Sequence, residues 1–293
     1  MNEDFPVLDL FEAERPRLRA IAYRMLGSAA EADDAVQETW LRLDQADVSA
    51  VGNLPGWLTT VLSRVCLNLL RARQTRREES LEEFTADWIG AADDGQIPQD
   101  EAELADSVGL AMLVVLDRLS PAERIAFVLH DMFDAGFDDI AHMMARTPAA
   151  VRQLASRARH RLQGAPAAGT GDPALQRKAV SAYLAATRTG DFEALLVLLD
   201  PEVVITADPV VMRGSRPLTL QGALTVARSA MAAAPRAEFT ELAEVDGAPA
   251  LIMAPLGRLA LVIRFEFAGE AVSVIDVIAE PGRLAELTIT LAG

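Results

Sequence analysis

Between Leu119 and Leu162, apolar positions recur at helical spacing in three short runs. Ile125, Val128, Leu129 and Met132 stand at i, i+3, i+4 and i+7, one apolar helix face. Ser120-Pro121-Ala122-Glu123 precedes them as a capping box with proline at the first helical position. Phe137, Ile140, Ala141 and Met144 repeat the spacing over a second, shorter helix. After the break Ala145-Arg146-Thr147, Thr147 and Pro148 open a third helix as N-cap and N1. Its inward stripe is Val151, Leu154, Ala155, Ala158 and Leu162. Arg152, Gln153, Ser156, Arg159 and His160 point away, with Arg157 and Arg161 on the flanks.

Two helices joined by a tight turn, the second bearing Arg and Gln outward, suit a DNA major groove. Arginine pairs two acceptors on guanine and Gln two groups on adenine, while further arginines neutralise phosphate. The third helix alone reads equally well as a solvated, arginine-rich surface. The capped order of all three favours DNA.

The N-terminal pattern is also helical. Leu18, Ile21, Ala22 and Met25 mark one amphipathic helix, ended by Gly27, and Ser28-Ala29-Ala30-Glu31 is a second capping box. The next helix turns Val36, Thr39, Trp40 and Leu43 inward and Asp34, Gln37, Glu38 and Arg42 outward. A third begins near Trp57, with Leu58, Val61, Leu62, Val65 and Leu69 as its stripe and Arg64, Asn68, Arg71, Arg73, Arg76 and Arg77 along its later part. An aromatic, an Asn and a basic run suit the unstacked bases and phosphates of single-stranded DNA. Trp57 by itself reads first as core packing, and Asn68, Arg71 and Arg73 are better placed for contact.

From Glu78 to Ser107 there are eleven acids and no Lys or Arg, an acidic connector broken by Gly95 and Pro98. Plain solvation is its first reading. Mimicry of nucleic acid, or a resting contact with the basic faces, is the other, and Trp88 within it asks for a partner surface. A Gly-, Ala- and Pro-rich stretch, residues 164–173, is a flexible linker. Beyond it come helices to Leu199, a strand over Val203 to Thr206 and a helix from Thr219 to Ala233. Strands are expected over Phe239–Val245, Ala250–Ala254, Arg258–Phe267, Ala271–Ala279 and Ala285–Leu291, parted by turns such as Asp246-Gly247. Helices first and an antiparallel meander after predict an α+β domain.

Length, 293 residues, allows two or three domains, and 51% hydrophobic residues exclude disorder. The longest apolar runs fall short of a bilayer span, and the acidic start lacks a signal-like segment, so a cytoplasmic protein is expected without a membrane partner. Cys66, the single cysteine, excludes an internal disulfide and reads as a buried thiol. No metal site and no cofactor are expected. A net charge of −16 argues against indiscriminate coating of nucleic acid, so local DNA binding needs another partner to hold the chain in place.

The residues also carry a family resemblance. Leu119 to Arg124, Asp139-Ile140-Ala141 and Thr147 to Leu154 resemble region 4 of extracytoplasmic-function sigma factors, which reads the promoter −35 element. That implies Thr147, Ala149, Arg152, Gln153, Ser156, Arg157 and Arg159 as −35 contacts. Ala145 departs from a frequent glycine in the turn. The Asp34-x-x-Gln37 helix with Glu38 resembles the region 2 surface that docks on core RNA polymerase. The Trp57 helix resembles the part that meets the melted −10 element, implying Trp57, Arg64, Asn68, Arg71 and Arg73. The C-terminal order is similar to a SnoaL-like, NTF2-like cone, as in a SigJ-like subgroup of these factors. Three subgroup signatures are altered, at Trp88 to Ala92, at Asp208 to Arg213 and at Glu280 to Leu284. The resemblance marks Asp208, Arg213, Pro281 and Leu284 as regulatory.

The fold class implied is multidomain: all-α sigma region 2 (1–80) and region 4 (108–163, helix-turn-helix), followed by an α+β NTF2-like cone (174–293), with linkers at 81–107 and 164–173. The expected partners are core RNA polymerase and promoter DNA, with a small molecule or a protein as ligand of the C-terminal domain. The rival reading is a ligand-responsive DNA-binding regulator or a fused pocket enzyme. The cone holds no histidine, since His130, His142 and His160 lie outside it. Its candidate acids are Asp208 and Asp276, with Arg213, Arg216 and Arg264 as candidate partners. An ion pair or a solvent-facing place suits them better than catalysis, so a non-enzyme is expected.

Overall fold

A computed structural model describes residues 5–46, 51–77, 109–163, 172–212 and 216–291. The acidic connector with Trp88, most of the 164–173 linker and Arg213 lie outside the described residues. The chain divides into two compact units, one of Met1–Glu79 with Leu116–His160, the other of Ser80–Val115 with Arg161–Gly293.

In unit 1, α1 (Phe5–Leu26), α2 (Ala29–Asp44) and α3 (Leu54–Arg77) pack on one another. Ser28 caps α2 by accepting from the Glu31 N–H at 3.4 Å. Phe11, Leu18, Ile21, Tyr23 and Met25 of α1 are fully buried, as are Leu58, Leu62 and Cys66 of α3. Leu70 is buried in the last part of α3, whereas Leu69 and Val61 are half-buried, because the helix keeps a 3.6-residue period over its 24 residues. Burial pushes the Cys66 thiol up to about 12, which leaves it an inert apolar filler.

The chain then forms α4 (Leu110–Asp117), α5 (Pro121–Phe127) running into a π-turn at Val128–Met132, α6 (Phe137–Met144) and α7 (Pro148–Gln163). The capping box at α5 is complete: Ser120 Oγ accepts from the Glu123 N–H, and the Glu123 carboxylate accepts from the Ser120 N–H at 3.1 Å. Helix α4, which precedes the three expected helices, is short, almost wholly apolar and buried at Leu110, Leu113, Val114, Val115 and Leu116.

In unit 2, α8 (Pro173–Thr189) and α9 (Phe192–Leu198) lead into a sheet of β1 (Leu199–Ala207), β2 (Leu218–Gln221), β3 (Thr240–Val245), β4 (Ala248–Met253), β5 (Leu261–Ala268), β6 (Ala271–Ile278) and β7 (Ile289–Thr290). Its order is β2-β1-β6-β5-β4-β3-β7. Helices α10 (Ala223–Ala232) and α11 (Ala234–Ala237) lie between β2 and β3, and α12 (Pro281–Glu286) between β6 and β7.

The structure corrects three expectations here. Residues 218–221 are a strand rather than the start of a helix; they pair with β1, and Gly222 at φ +90 separates them from α10. Residues 285–291 are not a full strand. Pro281 at N1 and the helix-favouring Leu284-Ala285-Glu286 give α12, which leaves only Ile289-Thr290 to pair with β3. The sheet is not purely antiparallel, because β1 runs parallel to β6. The turn at Asp246-Gly247 joins β3 to β4 with both residues at positive φ, +51 and +79, which matches a right-twisted hairpin.

Candidate nucleic-acid interface

Helix α6 ends at Ala145 in the left-handed region, φ 53 and ψ 47, and the Arg146 N–H returns to the Ala141 carbonyl at 2.9 Å. That reversal aims the chain into α7, where Thr147 Oγ1 accepts from the Ala150 N–H at 3.2 Å. Val151, Leu154, Ala155, Ala158 and Leu162 are buried, and Thr147, Ala149, Arg152, Gln153, Ser156, Arg157 and His160 are exposed. Arg152 stacks over the Phe137 ring at 5.3 Å, and Arg157 reaches the Gln153 carbonyl. Arg159 is less available than its neighbours, because it pairs with Asp131 at 2.5 Å. Arg146, exposed in the turn beside Thr147, borders the same surface. Its place in the break, rather than on a periodic face, is why helical spacing did not mark it.

On α2, Asp34 and Gln37 are exposed, while Glu38 is half-exposed and pairs with Arg42 at 3.0 Å. Leu41, 45% exposed, completes their stripe at i, i+3, i+4 and i+7. Apolar periodicity alone assigned no role to Leu41, because it lies on the polar side of the helix.

The basic helix α3 is less uniform than its sequence suggests. Asn68 and Arg71 are exposed and Trp57 is half-buried. Arg64 donates to the Met143 carbonyl of α6 at 3.4 Å. Arg73 binds Glu31 of α2 and donates to the Leu26 carbonyl at 2.6 Å, so it ties three helices together with little of its side chain exposed. Arg124, buried, donates to the Arg24 carbonyl of α1 at 3.3 Å and pairs with Asp117. The α1–α3 bundle and the helix-turn-helix are therefore held together within unit 1.

In unit 2, Asp208 is buried and accepts from the N–H groups of Ala279 (2.8 Å) and Glu280 (2.9 Å) and from Arg283 (2.5 Å). Burial alone pushes this carboxyl up, but those donors outweigh it and hold Asp208 below the usual carboxylate range. Arg283 also bonds Asp276 at 2.8 Å, and Asp276 accepts from Thr206. Arg283, not Arg216 or Arg264, is thus the partner of both acids. Glu280 to Leu284 is the start of α12 rather than a loop, with Pro281 at N1 and Leu284 buried.

Residues 10–76 match Sigma-70 region 2, and residues 110–162 match Sigma-70, region 4. The chain is 32% identical to the probable ECF RNA polymerase sigma factor SigI of Mycobacterium tuberculosis (strain CDC 1551 / Oshkosh), over 100% of both chains. It is 40% identical to the ECF RNA polymerase sigma factor SigJ of M. tuberculosis (strain ATCC 25618 / H37Rv) over 68% of this chain and 64% of that relative, just under two thirds of its length. The crystal structure of an M. tuberculosis SigJ covers 95% of this chain and 98% of that one, at 28% identity and a TM-score of 0.45.

Proposed function

This chain belongs to the extracytoplasmic-function (ECF) RNA polymerase sigma factor family, and we propose how its parts share the work of promoter-directed transcription initiation. Region 2 (residues 1–80) docks on core RNA polymerase through Asp34, Gln37, Glu38 and Leu41 of α2. It meets the melted −10 element through Asn68, Arg71 and Arg64 of α3, beside Trp57. Region 4 (residues 108–163) reads the −35 element with Arg152, Gln153, Ser156 and Arg157. Thr147, Ala149 and Arg146 lie nearest the DNA backbone. The observation that carries the reading is the α7 face, four arginines and no acid behind a capped turn, in a chain with net charge −16.

The packing inside unit 1 adds a conformational step. The −10 and −35 elements are centred about 25 base pairs apart, roughly 85 Å at 3.4 Å per pair. Helices α3 and α6 touch at Arg64 and Met143, and no such contact spans that distance. The packed unit is a resting form, and engagement of promoter on polymerase separates region 2 from region 4.

The C-terminal domain (residues 174–293) acts in cis. Glu241 of β3 accepts from the Ala111 N–H, the second residue of α4, at 2.9 Å, so the start of region 4 is held by that domain. Regulation through Asp208, Pro281 and Leu284 then works through the stability of the cone rather than through free side chains. An enzymatic role is disfavoured by Asp208 and Asp276, both tied to Arg283. Among the described residues no helix is long and apolar enough to cross a membrane.

The docking assignment is tested by reversing charge at Asp34→Lys and Glu38→Lys together. Both residues lie on the α2 surface, so circular dichroism should be unchanged while co-purification with core polymerase is lost. Undiminished binding would remove α2 from the interface.

A further inference from the structure

The cone in unit 2 encloses a cavity of about 400 Å³ between the sheet and helices α8, α10 and α11, within the size range of small-molecule sites, about 300–1,000 Å³. Its floor is one cross-strand row in register, Leu218, Ala207, Val277, Ile263 and Leu251. Its roof is alanine-rich where α10 and α11 pass over it, at Ala230, Ala233 and Ala237. Interiors normally fill such a volume with side chains. Here small residues stand where larger ones would close it.

The polar groups in the lining narrow the ligand class. Thr187 and Thr240 donate their hydroxyls to the carbonyls of Tyr183 and Arg236, and so are already satisfied, while Ser229 of α10 adds a half-buried hydroxyl to the lining. Tyr183 is different. It is 5% exposed, its ring is fixed edge-on to Phe265 at 5.2 Å, and its hydroxyl makes no hydrogen bond with any described residue. Burial raises its phenol well above the ordinary value, so it remains a protonated donor. The hydroxyl is not sealed off with the rest of the side chain, so in the cavity lining it is a free donor that a ligand oxygen can reach. The described lining has no Asp, Glu, His or Lys, and its one charged side chain is the half-buried Arg236.

We propose that the cone binds a neutral, largely apolar small molecule whose single hydrogen-bond acceptor meets the Tyr183 hydroxyl. The site stands independently of the sigma-factor reading, since ligand binding and transcription are measured apart.

The test is calorimetric titration of the full chain with three matched probes: benzophenone, diphenylmethane and 2-benzoylbenzoate. They share a frame and differ in carrying an acceptor, no acceptor, or an added carboxylate. Benzophenone should bind with Kd on the order of 10 µM, diphenylmethane several-fold more weakly, and 2-benzoylbenzoate weakest of the three. Tyr183→Phe keeps the ring and should weaken benzophenone about 3- to 10-fold while leaving diphenylmethane unchanged. Ala230→Phe fills the cavity and should abolish binding of both, with an unchanged circular-dichroism spectrum as its control. If Ala230→Phe fails to fold, Tyr183→Phe decides alone. The proposal is overturned by absence of benzophenone binding, by an equal effect of Tyr183→Phe on both neutral probes, by binding that a folded Ala230→Phe leaves intact, or by tighter binding of the carboxylate.

Discussion

Ala145 sits at φ 53, in a region that costs a residue with a Cβ about 1 kcal/mol or more relative to glycine. The break in apolar spacing located this turn, and the frequent glycine at the position in related factors foretold its strain. Ala145→Gly should therefore raise the thermal midpoint of the chain, by the equivalent of about 0.5–1 kcal/mol, in a melt followed by circular dichroism. A lower midpoint would mean that the turn relaxes around alanine. Asp208 was legible as a special residue but not as what it is. Its partners, the Ala279 and Glu280 N–H groups and Arg283, lie some seventy positions away and are adjacent only because β1 pairs with β6. Because its folded value is depressed, its contribution is fully present above the unfolded value, near pH 4, and is lost as pH falls below that through the folded value. Asp208→Asn should thus be less stable than the parent at pH 7, and the gap should narrow as pH drops below about 4. A gap independent of pH would assign the loss to packing rather than charge.

At the scale of elements, the helices of unit 1 were legible from their buried apolar stripes, with side-chain caps opening α2, α5 and α7. The stripe of α7, Val151 to Leu162, and the α5 capping box need no tertiary information. The C-terminal elements were less so. Thr219 to Ala233 mixes a four-residue strand with an alanine-rich helix, and Gly222 is the only break between them. The pairing of α3 with α6 was not legible at all, since Arg64 and the Met143 carbonyl meet through chain folding over 79 positions. That pairing makes a prediction. Dyes at Ala13→Cys on α1 and His160→Cys on α7, both exposed, should report a short distance in the free chain. Addition of core polymerase and promoter DNA should lengthen it to a distance approaching the roughly 85 Å between promoter elements. Buried Cys66 will not compete for label. An unchanged distance on promoter binding would refute the resting-form interpretation.

At the scale of the whole molecule, the acidic balance and the arginine-bearing helices describe a chain that binds DNA locally and relies on a second partner. Family membership identifies that partner class as RNA polymerase. The C-terminal domain holds the start of α4 through Glu241, so ending the chain at Gly164 removes that tie. Transcript yield from a given promoter is then expected to change while polymerase binding persists. The measurement that bears most directly on the central claim is transcription in vitro with purified core polymerase and a library of randomised promoters, comparing the full chain with Arg152→Ala. The full chain should yield transcripts from a defined subset sharing −10 and −35 sequences. Arg152→Ala should lower yield from that subset by the equivalent of about 1–3 kcal/mol and relax choice at one or two −35 positions. No chain-dependent transcripts from any promoter would contradict the account.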